Sequence, residues 1–326
     1  MSGSKEAFDR KIAVLESLRA DPTSPAALDQ LRKALKDRNN YLVAKAAAMA
    51  GQLGLKPLAP DLVVAFDRFL TDSVKTDPKC WAKDAIAKAL KDLEHDDPAV
   101  FLHGIVHIQM EPVWGGESDS AATLRGACAL ALVATTLDRI SILARLVDLL
   151  ADLEKPARID AVRAIGQLPG HDSVLLLRLK ALAGDSDSEV VGTCFDTLLS
   201  MTPESVAFVA RFLAASDPDL RAEAAAALGA CPEPQALDVL KQCFDTRIDV
   251  ELKTAILRSL AASRHAAAAE FLLSVIEEAR PEHAAAALQS LAAGRFRDEF
   301  RDRAGDAVRR RNIAELTAAY RKEYAA

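Results

Sequence analysis

His103 and His107 stand four residues apart, and Glu111 follows four further on. On a helix that spacing puts two imidazoles and a carboxylate on one face, a geometry that can hold a metal ion. The motifs that would complete a metal centre are missing: the sequence has no HExxH and no paired CxxC. The two histidines are therefore read as part of a polar binding surface, and neither a metal nor another cofactor is expected. Residues 110–120 follow, a stretch that holds Pro112, Trp114 and Gly115-Gly116. Long connections in compact folds are usually functional or disordered. An aromatic on a glycine-hinged loop can cover a groove or stack on a ligand.

A second set of residues is basic and aromatic. Lys45, Lys83 and Arg125 fall at equivalent positions of successive helices, with Asp160, Gly192, Glu223 and Lys253 at the same position further on. The first three predict a positive row able to grip a carboxylate-rich peptide, a phosphorylated partner or a nucleic-acid backbone. Trp81 lies beside Lys83 and Asp84, an aromatic–basic–acidic grouping of the kind that holds an exposed base near a carboxylate. Trp and Arg dominate binding hot spots, which singles out Trp114 and Arg125. No GxSxG, no glycine-rich phosphate loop and no Cys–His pair in a recognisable context is present, so no catalytic residue is assigned. The run Arg309-Arg310-Arg311 reads as a solvated helix face.

The composition narrows the partner. Half of the 326 residues are hydrophobic, and the formal charge is −6. That charge argues against non-specific coating of nucleic acid. The five cysteines are odd in number and irregularly spaced, which fits a reducing, cytoplasmic setting. The first residues lack an apolar core of the signal-peptide type, and no run of about 18 apolar residues suggests a membrane span.

The elements that must position these residues repeat. Leu168, Leu199, Leu228, Leu260 and Leu291 are 31, 29, 32 and 31 residues apart, each near the end of a helical stretch. A period near thirty with helical content means stacked helical hairpins, each covering the apolar face of its neighbour. Eight pairs are expected: 25–54, 58–93, an irregular third from Pro98, then 137–168, 172–201, 203–230, 234–262 and 266–293. Asp, Ser and Pro mark the turns, as at Thr76-Asp77-Pro78 and Ser216-Asp217-Pro218. The predicted fold is an all-α, right-handed α-solenoid forming one object. Residues 1–23 cap one end through Phe8, Ile12, Leu15 and Leu18. Residues 295–326 form a charged cap closing the core with Phe296, Phe300, Val308, Ile313 and Leu316.

Asp217-Pro218-Asp219-Leu220-Arg221 followed by Ala224-Ala225-Ala226-Ala227-Leu228-Gly229, and the second turn Asp185-Ser186-Asp187-Ser188-Glu189, resemble the HEAT-repeat class of α-solenoids. The likeness is to the short bacterial repeats often labelled PBS-lyase HEAT-like, and it covers about residues 24–294. Such a resemblance implies a binding surface presented by the second helices of the pairs, and a class that includes scaffolds, adaptors, bilin lyases and a divergent branch of alkylpurine DNA glycosylases. The expected role is a non-catalytic scaffold that binds another protein or an acidic peptide segment through the concave solenoid face and the irregular third-repeat loop, at Lys45, Trp81, Lys83, His103, His107, Trp114 and Arg125. An enzyme of the bilin-lyase or glycosylase type is the alternative.

Overall fold

The structure, a computed structural model, describes residues 2–246 and 249–324. The chain forms two compact units, one up to Ser173 and one from Val174 onward. The first unit opens with α1 (Ser2–Ser17), which continues into a single 3-10 turn. It proceeds through α2 (Pro25–Leu35) and α3 (Asn40–Gln52), then α4 (Ala59–Leu70), the one-turn α5 (Ser73–Thr76) and α6 (Trp81–Asp92). The short α7 (Ala99–Gly104) pairs with α8 (Ala122–Leu132) across two strands, β1 (Met110–Val113) and β2 (Gly116–Asp119). A fourth hairpin joins α9 (Arg139–Leu149) to α10 (Lys155–Gly166).

The chain continues as α11 (His171–Ala183) and α12 (Ser188–Met201), α13 (Ser205–Ala210) and α14 (Pro218–Ala230), and α15 (Pro234–Thr246) and α16 (Val250–Ala262). It closes with α17 (Ala266–Glu278) and α18 (Pro281–Ala293), and α19 (Arg297–Arg311) and α20 (Ala314–Tyr324). The eight expected pairs are present at the expected places, and the fold is α-helical apart from β1–β2. The C-terminal segment is more than a cap. It is a further hairpin, with α19 beside α17 and α20 beside α18. Phe300, Val308 and Leu316 are buried there as expected, and Phe296 and Ile313 are half-buried.

The turn residues act as the sequence suggested. Asn39, Asp187, Asp217 and Asp249 each accept a backbone N–H in the first turn of α3, α12, α14 and α16. A carboxylate or amide at that position satisfies a donor that the helix itself leaves open, and its loss costs about 1 kcal/mol. Arginines serve the opposite helix ends. Arg68 donates to the carbonyls of Leu35, Lys36 and Asp37 at the end of α2, and Arg311 donates to Ile276 and Ala279 at the end of α17. Each thus ties a helix to the hairpin before it while meeting the negative end of its dipole. Arg303–Glu270 and Arg310–Glu277 join α19 to α17 on one helical face, about two turns apart. The tri-arginine run is therefore engaged: Arg309 pairs with Asp306, and its two neighbours reach α17.

The second helices of the pairs lie side by side, α3 on α6, α6 on α8 and α8 on α10 in the first unit, and α12 through α20 likewise in the second. Small residues set their spacing. A β-carbon on Gly229 would lie 2.6 Å from the carbonyl oxygen of Ser259, and one on Gly51 would lie 2.9 Å from the α-carbon of Ala89. At Gly192 the group in the way is the Glu223 carboxylate, at 2.2 Å, the far end of a flexible side chain. Two outcomes follow for glycine-to-alanine changes, which by helix propensity alone should gain up to about 1 kcal/mol. Gly229→Ala is expected to destabilise by about 1–3 kcal/mol, because backbone must move. Gly192→Ala should be neutral or stabilising, because Glu223 can swing away. Urea unfolding of the two variants checks the contrast, and equal effects would refute this account of the spacing.

Candidate functional site

The third hairpin departs from the repeat, and its departure is built on one buried carboxylate. Asp77 and Lys83 are fully buried and joined at 3.0 Å. Asp77 Oδ1 accepts from Asn40 Nδ2 and from the Ala82 N–H, and Oδ2 accepts from the N–H and the Nζ of Lys83. It thereby caps α6 from five residues back. The chain reaches α6 through Lys79 and Cys80, both in left-handed backbone at φ 63° and 54°. Such residues cost of the order of 1–3 kcal/mol each, and persist only where surroundings fix them. The Cys80 N–H donates to the Asp77 carbonyl, and burial pushes the Cys80 thiol up to about 12.

Lys83 Nζ has two further acceptors, the carbonyl of Phe69 and Oε1 of Gln109, so all three of its protons are used. Gln109 carries the network outward. Its Nε2 donates to the Asp77 carbonyl at 2.8 Å and to Glu111 at 2.6 Å, and its N–H donates to Asp119. Glu111 on β1 also accepts from the Ser120 hydroxyl and from the Lys79 N–H. Arg125 on α8 makes a two-pronged pair with Asp152, donates to Asp119 and donates to the His107 carbonyl. Charge-assisted and bidentate bonds of this type are the strong ones. Both ends of the β1–β2 insertion are thus clamped onto α6 and α8.

Residues 110–120, read as a loop, form an antiparallel hairpin instead, with Val113 opposite Gly116 and Met110 opposite Asp119. Gly115, at φ 90°, supplies the positive angle at the second central position of the two-residue turn between Val113 and Gly116. The Ser120 N–H bonds to the Gln109 carbonyl, so the alternation of paired positions leaves Pro112 where no donor is required. At the tip Trp114 is fully exposed.

Several expectations change with these positions. His103, His107 and Glu111 do not share a helix face, because α7 ends at Gly104 and Glu111 lies on a strand. His103 is exposed on α7, whereas His107 is half-buried beside Gln109. Among the described residues no group of three or more His, Cys, Asp and Glu is placed to hold a metal ion. The expected positive row is also interrupted: Lys45 is exposed, but Lys83 and Arg125 are buried and paired with carboxylates. Equivalent positions along a solenoid do not guarantee equivalent exposure once an insertion covers one of them. Trp81, Lys83 and Asp84 do not form a grouping either, since Lys83 turns inward and Asp84 pairs with Lys88.

What does assemble at the surface was only partly visible in the sequence. Trp81 packs edge-on against Tyr41 at 5.5 Å, and Tyr41 against Phe8 at 6.1 Å. Lys79 Nζ lies 5.1 Å from the Trp81 ring and Lys45 Nζ 5.4 Å from the Tyr41 ring. Sequence reasoning missed Tyr41, Lys79, Asp77, Gln109 and Asp119. Tyr41 and Trp81 share a place near the start of successive second helices, which was a usable signal. The pairing of Gln109 with Lys83 leaves none.

A profile of HEAT repeats matches residues 178–261 and 206–292. Residues 178–292 are HEAT repeats. The hairpins of the first unit, outside that match, follow the same pairing of helices. Solved structures similar to the chain include human deoxyhypusine hydroxylase in complex with glycerol, at 20% identity, covering 78% of this chain and 89% of that one with a TM-score of 0.29. An engineered protein shows 17% identity over 90% and 87%, with a TM-score of 0.37. The complex of CpcE and CpcF of phycocyanin lyase from Nostoc sp. PCC7120 shows 15% identity over 86% and 94%, with a TM-score of 0.33. No curated protein matches the chain. No helix among the described residues is long and apolar enough to cross a membrane.

Two tests address the clamp. Lys83→Met strands the buried Asp77 carboxylate and should cost about 3–5 kcal/mol, with Asp77→Asn added to it restoring part of the loss. Urea unfolding measures both, and a single variant within about 0.5 kcal/mol of the parent would refute the hub role. The second test is pH. Burial holds His107 below its ordinary 6.5, against an opposing pull from Gln109. A depressed histidine favours the folded state above its unfolded value, so stability falls as acid protonates the unfolded chain first, beginning near 6.5. Burial raises Asp119 and Glu111, but their hydrogen-bond donors outweigh it and hold both below the carboxylate range. Their contribution is lost only in stronger acid. Between about pH 7.5 and 5.5, His107→Gln should therefore lose less stability than the parent.

Proposed function

We propose that this protein is a non-catalytic scaffold that binds another protein, and that the segment it holds is acidic. The contact surface is the hairpin tip with the exposed starts of α3 and α6: Trp114, Trp81, Tyr41, Lys45 and Lys79. His103, exposed on α7, is assigned to the same surface. Lys83, His107 and Arg125 serve it from beneath, by fixing the hairpin. The observation that carries the reading is Trp114, a fully exposed indole at the end of an insertion whose base is pinned by buried ion pairs. Large exposed apolar side chains on fixed supports are typical binding anchors.

The acidic character of the partner rests on charge. Among the described residues Lys45 and Lys79 have no carboxylate partner, only an aromatic ring beneath each ammonium. A carboxylate approaching there meets two uncommitted cations, and its apolar neighbours meet Tyr41 and Trp81. The buried thiols of Cys80, Cys128, Cys194 and Cys231 support action in a reducing compartment, which we take to be the cytoplasm.

Trp114→Ala should leave the unfolding midpoint unchanged and lower affinity for a partner by about 2 kcal/mol. Lys45→Glu with Lys79→Glu should weaken binding further and flatten its salt dependence. The assay is an array of acidic, neutral and basic peptides probed with the labelled protein and both variants. Retention of acidic peptides that is equal for parent and variants would refute this surface.

A further inference from the structure

A separate opening lies at the start of the first unit. Helix α1 rests on α3, where Phe8 meets Tyr41, and leaves a cleft against α2. The cleft has a volume of about 280 Å³. Its floor is apolar: Leu15, Ala34 and Leu42, with Val14 half-exposed at the edge. Its rim is cationic: Arg10, Lys11 and Lys33 against one carboxylate, Asp37. That carboxylate is taken by Lys11 at 2.6 Å. Arg10 uses its Nε on the Glu6 carbonyl, and Lys33 is exposed with no carboxylate partner among the described residues. An apolar floor beneath two cations, neither with a carboxylate partner among the described residues, is matched by one ligand chemistry.

We propose that this cleft binds a small amphiphilic carboxylate, its apolar body on Val14, Leu15, Ala34 and Leu42 and its anionic head at Arg10 and Lys33. The size limits the body. Arg10 to Leu15 covers about 8 Å of helix, which suits a short alkyl chain or a single aromatic ring rather than a partner helix. Pockets of this kind orient a ligand with a few polar groups and hold it with apolar contact. The cleft shares no lining residue with the surface assigned to a partner protein. Filling it would stiffen the seat of α1, whose other described anchors are the Lys11–Asp37 pair and the contact with Tyr41.

The experiment uses the full chain and four probes: octanoate, 3-phenylpropanoate, octylammonium and octanol. Methyl resonances of Val14, Leu15 and Leu42 report occupancy. Saturable shifts are expected with the two carboxylates, and whichever is tighter tells alkyl from aryl ligands. Lys33→Glu and Val14→Glu, both at exposed positions and so compatible with folding, should each weaken carboxylate binding roughly tenfold. Trp114→Ala should change nothing. Octylammonium or octanol binding as tightly as octanoate would overturn the proposal. So would unchanged affinity in Lys33→Glu, or an absence of saturable shifts at these methyls while circular dichroism shows the fold intact.

Discussion

One buried ion pair organises the distinctive part of this chain. Asp77 and Lys83 are out of water, and neither is tolerable there alone. Each is saturated by neighbours from different elements: Asn40 from α3, the Phe69 carbonyl from α4, and Gln109 from the segment leading into β1. The pair therefore requires three successive hairpins to be in place at once. It also sets the direction of the chain entering α6, through two left-handed residues that have no reason to persist otherwise. The insertion beyond Gln109 inherits that rigidity.

The two units make their neighbour contacts differently. In the second, consecutive helices touch through alanine, glycine and serine, and the ties between repeats include surface pairs such as Arg303–Glu270 at 2.6 Å. Exposed pairs of that type are individually weak, and apolar packing between repeats carries the stability. In the first unit the ties sink beneath the surface. Arg125 is buried with Asp119 and Asp152, and burial is offset there by full hydrogen bonding. A regular array can extend without such devices. A specific fixed insertion cannot.

The repeat itself was legible because it rests on composition and period. Leucines about thirty residues apart and Asp-Pro turns act locally, through helix propensity and capping, so each reports its own hairpin. The site was half legible. Trp81 and Trp114 are at the surface because their immediate surroundings leave them there, and a glycine-hinged tryptophan was readable as such. Lys83 and Arg125 were misread as surface groups. Their burial depends on Gln109 and Asp119, which arrive from an insertion whose strand pairing no periodicity announces. Glu111 was placed on a helix for the same reason. Arg303 and Arg310 show the converse: their partners Glu270 and Glu277 keep a seven-residue offset on both helices, which a charge pattern alone can suggest.

The ends of the β1–β2 insertion meet: the Ser120 N–H reaches the Gln109 carbonyl at 2.9 Å, so the stack closes behind the hairpin as though it were absent. Everything that anchors it sits at its base, in Gln109, Glu111, Asp119 and Ser120, while residues 112–118 are exposed. Anchoring and solvent exposure are thereby assigned to different residues of one short segment. The tip is free to change in length and sequence without unsettling the helices, much as a tool is changed in a fixed chuck. A chain that kept the base and varied the tip would keep the fold and change only the surface it presents.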